Sequence, residues 1–331
     1  MKKIDVGVVG VGHLGALHAK MLAQIDGVRL AGVQDDDDAK AARVAEELGV
    51  QPFARFEDLI QQVEALTIAT STPSHFGIAR AALQRGRHVF IEKPITETVA
   101  EAEELCSLAG TARLCLQVGH IERFNPALLA LEGYEIRPLF IESHRLAQFN
   151  PRGSEVAVVL DLMIHDIDVI LSFVRSPVKQ VDANGVAVVS ESVDIANARL
   201  QFENGCVANV TASRISQRRM RKMRLFQPSS YISVDFSEGL AEVFRIVDED
   251  EATVEGTMML GKLDAGTQKR KIVYEQPEVK EQNALKYEME LFVDAIRTGR
   301  PPIVSGEDGK RALEVASVIM EKISQQEQIF R

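Results

Sequence analysis

The 331-residue chain lacks any apolar run long enough to span a bilayer. Its start, Met1-Lys2-Lys3 followed by Ile4, opens like a secretion signal. Asp5 interrupts that run, however, and Gly7, Gly10, Gly12 and Gly15 break it further. Cysteine is scarce. Cys106, Cys115 and Cys206 are odd in number and show no CxxC spacing, which argues against a disulfide framework and suits free thiols in a reducing cytosol. No residue pattern calls for a metal, and none is expected. Excess positive charge is also missing: Lys and Arg number 38 against 48 Asp and Glu, a net charge of −10. Such a chain repels nucleic-acid backbones and anionic lipid, so neither nucleic acid nor a membrane is an expected partner. There is no internal repeat and no low-complexity segment. The expected setting is cytoplasmic.

Apolar residues are plentiful, at 46%, and the length suits about two domains. Short apolar runs alternate with helical periodicity through the first 120 residues. Ile4–Val9, Val28–Val33, Ala65–Ala69, His88–Ile91 and Leu114–Val118 read as strands. His13–Ile25, Ala39–Leu48, Ser74–Arg85 and Thr98–Ala109 read as helices. That alternation implies βαβ units and a parallel sheet covered on both faces. Beyond residue 120 the rhythm changes. Phe140–Leu146 reads as a strand and Val156–Val174 as one long helix. Val178 to Tyr274 is mostly strands, with turn signals at Asn184-Gly185 and Asn204-Gly205. Helix returns at Asn283–Thr298 and Asp308–Gln325. The expected fold is α/β: an N-terminal Rossmann parallel sheet over residues 1–120, then a C-terminal α+β domain over 121–331 with a large, mostly antiparallel sheet.

Gly10-Val11-Gly12-His13-Leu14-Gly15 directly follows a strand and opens a helix, the context that a dinucleotide fingerprint requires. Gly10 permits the tight turn, Gly12 lets the backbone approach a pyrophosphate, and Gly15 allows close helix–strand packing. The helix N-terminus offers N–H groups and a positive dipole end to the phosphates. Past the second strand come Asp35-Asp36-Asp37-Asp38. Asp35, the first of them, is placed to accept hydrogen bonds from an adenosine ribose. Its charge disfavours a 2′-phosphate, so NAD is the expected cofactor. The plainer reading is a solvated acidic turn with Asp38 capping the next helix.

The strand ending at Ile91 runs into Glu92-Lys93-Pro94. Ligands of open α/β sheets bind beyond the carboxyl ends of the strands, so Lys93 is placed to stabilise negative charge on a substrate oxygen. Asp161 and His165 are four apart and share a helix face, which Asp168 continues. A histidine is a natural proton acceptor for an alcohol near neutral pH, and a neighbouring carboxylate can orient it.

Four elements, in this order, make the chain resemble the Gfo/Idh/MocA (glucose–fructose oxidoreductase / inositol dehydrogenase) family. They are the Gly10–Gly15 loop, the Thr70, Pro73 and His75 segment, Glu92-Lys93-Pro94, and Asp161 with His165. The resemblance implies catalysis by Lys93, Asp161 and His165. It also implies cofactor contacts at Gly10, Gly12, His13, Leu14, Gly15, Asp35, Thr70, Pro73, His75, Glu92 and Lys93. A homo-oligomer, dimer or tetramer, formed through the C-terminal sheet is implied as well.

Gly119-His120-Ile121-Glu122-Arg123-Phe124-Asn125-Pro126 and the basic strip from Arg214 to Arg224 resemble a narrower branch, the UDP-N-acetylglucosamine 3-dehydrogenases. That implies oxidation at C3 of a UDP-N-acetylhexosamine by hydride transfer to NAD. Arginines suit a diphosphate. Arg123, after the Gln117–Gly119 strand end, is the first candidate, with Lys93 and His165 as the other substrate contacts. A polyol or free aldose is the alternative substrate. A non-catalytic NAD-binding sensor is the alternative of another class.

Overall fold

The apolar run Ile4–Val9 forms β1, buried at nearly every position, because parallel strands lie under helices on both faces. The structure, a computed structural model, describes residues 2–151, 153–251, 256–265 and 268–330. After β1 come α1 (His13–Leu22), β2 (Val28–Gln34), α2 (Asp38–Leu48), β3 (Gln51–Phe53) and α3 (Phe56–Gln61). They are followed by β4 (Ala65–Ile68), α4 (Thr72–Gln84), β5 (His88–Glu92), α5 (Val99–Ala112) and β6 (Leu116–Gly119). The six strands form one parallel sheet ordered β3-β2-β1-β4-β5-β6. The order reverses direction between β1 and β4, the switch point beyond which such sheets bind ligands. β3 and α3 are absent from the sequence reading. β3 is only three residues with a proline at its centre, and α3 spans six. Neither is long enough to show a period.

Local signals set the helix starts. Asp37, not Asp38, caps α2 by accepting from the Ala39 and Lys40 amides. α5 opens on a capping box in which the Glu101 amide donates to Thr98 Oγ1 and the Thr98 amide donates to Glu101 Oε2.

This first unit comprises Met1–Ile121 together with Asn283–Glu314. The sequence division at residue 120 had assigned that later segment to the second domain. The reason for its return is apolar. Leu285, Met289, Phe292 and Val293 of α8 (Ala284–Thr298) belong to the same core as Val6, Leu22 and Phe90. Phe292 meets Phe90 edge-on at 5.7 Å. Each such buried side chain contributes roughly 1.5–3 kcal/mol, and local periodicity carries no trace of which core a terminal helix will join.

The second unit comprises Glu122–Gln282 and Val315–Arg331. It holds α6 (Pro126–Leu129), β7 (Phe140–Leu146), α7 (Ile164–Val174), β8 (Val178–Val186), β9 (Ile195–Phe202), β10 (Val207–Ser213), β11 (Met220–Gln227), β12 (Ser230–Asp235), β13 (Leu240–Asp248), β14 (Met258–Ala265) and β15 (Gln268–Glu275). α9 (Gly306–Phe330) begins in the first unit and ends in the second. The sheet runs β14-β15-β13-β12-β11-β7-β10-β9-β8 and is antiparallel except where β10 lies parallel to β7. Parts of the expected strand region, residues 252–255 and 266–267, lie outside the described residues.

The Asn204-Gly205 turn joins β9 to β10, with Gly205 at φ +88°. Asn184-Gly185 is no turn and lies inside β8. A Cβ on Gly185 would stand 2.8 Å from both Ile323 and Val193, so this glycine allows close approach instead of reversal. The long helix expected over Val156–Val174 is a π-helical turn, Val159–Met163, leading into α7. Asp161 sits in that π turn, a feature often found at functional sites.

Candidate active site

In the first unit, the sequence-predicted cofactor residues gather at the carboxyl ends of β1, β2, β4 and β5. Gly10 adopts φ +80°, and a Cβ there would meet the Ala69 carbonyl oxygen at 2.8 Å. A Cβ on Gly15 would stand 1.8 Å from the Gly10 carbonyl oxygen, so only glycine fits. Gly12 differs: no protein atom lies within 4 Å of a Cβ built on it. Packing therefore does not require this glycine, and the space beside it is open to a ligand approaching the backbone. Gly12 is also the N-cap of α1, which has no side-chain cap, so its first-turn N–H groups are left to a ligand. The residues fit a dinucleotide pyrophosphate. His13 and Leu14 follow on the exposed first turn.

Asp35 Oδ2 accepts from the Val11 amide at 2.7 Å, and Oδ1 accepts from the Asp37 amide at 2.9 Å. The carboxylate thereby ties the end of β2 to the glycine loop. Its remaining lone pairs can accept from a ribose.

Thr70 is half-buried after β4, and Pro73 lies in the first turn of α4. His75, also on α4, is 1% exposed. Its Nδ1 lies 2.9 Å from the Pro94 carbonyl oxygen and its Nε2 lies 3.2 Å from that of Thr70. A neutral ring carries one N–H and can donate to only one of them at a time. Burial holds its pKa below the ordinary histidine range, against the pull of those carbonyls. His75 thus clamps the Lys93-Pro94 turn to the end of β4 from inside the protein. The Lys93–Pro94 bond is cis. Glu92 is buried as well, and its Oε2 accepts from the Lys93 amide at 3.2 Å.

In the second unit, Asp161 and His165 are both half-buried. Two buried aspartates beside His165 fix α7. Asp166 accepts from Arg145 Nε at 2.7 Å and Nη2 at 3.1 Å, and Arg145 Nη1 donates to Glu122 at 2.7 Å. Burial alone would lower the Arg145 pKa, but the Asp166 and Glu122 carboxylates outweigh it and raise it, so the guanidinium stays charged. Asp168 accepts from Arg123 Nε at 2.7 Å and Nη2 at 2.8 Å. Forked pairs of this kind set orientation more than net stability. Arg123, read from the sequence as a substrate contact, therefore presents two of its donors to Asp168.

Most of the basic strip has partners of its own. Arg214 is buried and donates to the carbonyls of Gly153, Val156 and Val193, which secures the segment leading into the π turn. Arg221, Lys222 and Arg224 pair with Glu122, Asp235 and Glu142 at 3.6, 3.1 and 2.7 Å. Arg218 and Arg219 are exposed, and among the described residues neither forms an ion pair.

Sequence reasoning missed His18, Glu122, Arg145 and Asp166 as organising residues. The available signal was an ionisable side chain at a position whose helical neighbours are apolar, as with His18 before Ala19 and Leu22. That pattern exposes burial but not the partner.

Residues 4–120 match the NAD-binding Rossmann-fold domain of the Gfo/Idh/MocA oxidoreductases, and residues 141–240 match their C-terminal domain. The chain belongs to the Gfo/Idh/MocA oxidoreductase family. Its cofactor is NAD, as the matched NAD-binding Rossmann domain indicates. The chain is 39% identical over 318 residues to a UDP-N-acetylglucosamine 3-dehydrogenase of Acidithiobacillus ferrooxidans, covering 96% of each. A solved structure of that Acidithiobacillus enzyme superposes with a TM-score of 0.87, covering 98% of each chain at 35% identity. A myo-inositol 2-dehydrogenase of Thermotoga maritima is 25% identical over 329 residues, covering 93% of this chain and 92% of the relative.

Proposed function

We propose that the protein oxidises the C3 hydroxyl of UDP-N-acetylglucosamine or a close UDP-N-acetylhexosamine. The observation that carries this is full-length similarity to a 3-dehydrogenase of that nucleotide sugar, joined to the dinucleotide cradle and to Lys93, Asp161 and His165. When bound, NAD supplies the hydride acceptor. The chain supplies the rest. The His165 imidazole takes the hydroxyl proton. The Lys93 ammonium steadies negative charge on a substrate oxygen. Asp161, one turn before His165, orients the ring. His75 and Glu92 position the Lys93 turn without touching substrate. Arg123 with Asp168 positions α7, and Arg218 and Arg219 are left to meet the diphosphate.

The test is NADH formation from NAD⁺ with UDP-N-acetylglucosamine and with myo-inositol in parallel. Turnover of the nucleotide sugar with little on myo-inositol is the expected result, and the reverse preference overturns the substrate assignment.

The chain acts as a homo-oligomer in this reading. One face of the nine-stranded sheet carries a half-exposed row, Phe140, Phe226, Tyr231, Phe244 and Tyr274, with neighbouring ring centroids 5.0–5.7 Å apart. A continuous aromatic row of this kind suits burial against a second copy. Phe226→Asp is expected to shift the protein toward monomer in sedimentation. The reading also places the enzyme in the cytosol, where its three unpaired thiols stay reduced. No helix among the described residues is long and apolar enough to cross a membrane.

A further inference from the structure

We propose that His18 is a positioning residue for Lys93, acting through the carboxylate of Glu92. This rests on the reading of Lys93 given above. His18 lies in the middle of α1, the helix that the glycine loop opens, and its side chain is wholly enclosed. The ring meets Phe90 edge-on, with centroids 5.5 Å apart. Its Nε2 stands 3.0 Å from Glu92 Oε1. The two groups are in close polar contact, although the ring N–H direction is not aligned for a hydrogen bond. The other oxygen, Oε2, accepts from the Lys93 amide.

The third side of the carboxylate is closed by Gly119, which pairs with Glu92 in the β5–β6 register. A Cβ on Gly119 would stand 2.7 Å from Glu92 Oε1, so any larger residue would displace the carboxylate. An imidazole, a backbone amide and a glycine thus hold one buried carboxylate in place. Burying such a polar pair costs free energy that an apolar pair at positions 18 and 92 would not. What the pair provides is a rigid link from the cofactor helix to the Lys93 turn. The Lys93 ammonium stabilises transition-state charge only when its turn is fixed to a fraction of an ångström, so loosening this link lowers kcat while leaving the cradle itself intact.

The experiment is a double-mutant cycle on the full chain. Rates are measured with whichever of UDP-N-acetylglucosamine or myo-inositol reduces NAD⁺ faster, NADH affinity by fluorescence, and folding by melting curve. His18→Leu removes the polar neighbour of Glu92, and His18→Gln restores a polar group beside it. The expected result for His18→Leu is a kcat about tenfold to a hundredfold lower, with NADH affinity within about twofold of the parent. His18→Gln recovers most of that loss, and His18→Leu adds nothing in a Lys93→Ala background. Gly119→Ala, which pushes the carboxylate from the other side, gives the same pattern and serves if His18→Leu fails to fold. The proposal is overturned if His18→Leu and Gly119→Ala leave kcat unchanged, or if either lowers it by the same factor with and without Lys93. Full activity of Lys93→Ala alone would instead overturn the reading of Lys93 on which the proposal rests.

Discussion

Asp35 reaches back across the first βα turn to accept the Val11 amide at 2.7 Å, so the carboxylate proposed to select the cofactor also braces the glycine loop. Asp35→Ser removes the charge that repels a 2′-phosphate and loosens the glycine loop at once. The KM for NAD⁺ is expected to rise by about tenfold or more, and the ratio of NADP⁺ to NAD⁺ kcat/KM to rise with it. Steady-state kinetics with both cofactors checks this. An unchanged preference contradicts the assignment of Asp35.

Gly12 offers a cleaner probe of the cradle than its neighbours. Gly15→Ala drives a Cβ into the Gly10 carbonyl and is expected to disrupt the loop itself. Gly12→Ala meets no protein atom, so its melting temperature should stay near the parent value. Its NADH affinity should fall by about tenfold or more, because the methyl occupies the space a pyrophosphate approaches. Fluorescence titration beside a melting curve separates the two effects. Undiminished NADH binding by Gly12→Ala would remove the pyrophosphate from this position.

His75 predicts a pH dependence of stability. Burial depresses its folded-state pKa below the unfolded value, so its stabilising contribution is present above the unfolded pKa, near 6.5, and is lost as pH falls toward the folded value. His88, also depressed by burial, acts in the same sense. The melting temperature of the parent should fall as pH drops below about 6.5. In His75→Gln the fall should be shallower, and His75→Gln with His88→Gln shallower still. Parallel curves for parent and variants would show that neither ring is held neutral by its surroundings.

Much of this was legible in the sequence. The alternation of periods in the first 120 residues foretold the parallel sheet, and the glycine spacing foretold the cradle. The reason is that both depend on interactions between near neighbours along the chain. What stayed hidden depends on distant partners. Asn184-Gly185 carries a turn signature, yet Ile323 approaching from the end of the chain makes it a close contact inside a strand. The helix over Asn283–Thr298 was visible, but its destination was not, since Phe292 finds Phe90 only in three dimensions. The basic strip read as an anion site. The acids that pair with half of it, Glu122, Glu142 and Asp235, come from other segments of the same unit.

Arg218 and Arg219 are the exposed part of that strip, proposed to meet a diphosphate. Their joint charge reversal to Glu should raise the KM for UDP-N-acetylglucosamine by about tenfold or more, since charge-assisted bonds to phosphate are worth roughly 1.5–3 kcal/mol each. The KM for NAD⁺ should not change. An unaltered KM for the nucleotide sugar would favour a substrate without a diphosphate.

The proposed function turns on hydride transfer from C3 of the sugar. The most direct test uses UDP-N-acetylglucosamine carrying deuterium at C3, with the nicotinamide product analysed by mass spectrometry. Deuterium is expected in the reduced nicotinamide, with a slower rate wherever hydride transfer limits turnover. Unlabelled NADH formed from the labelled sugar would contradict it.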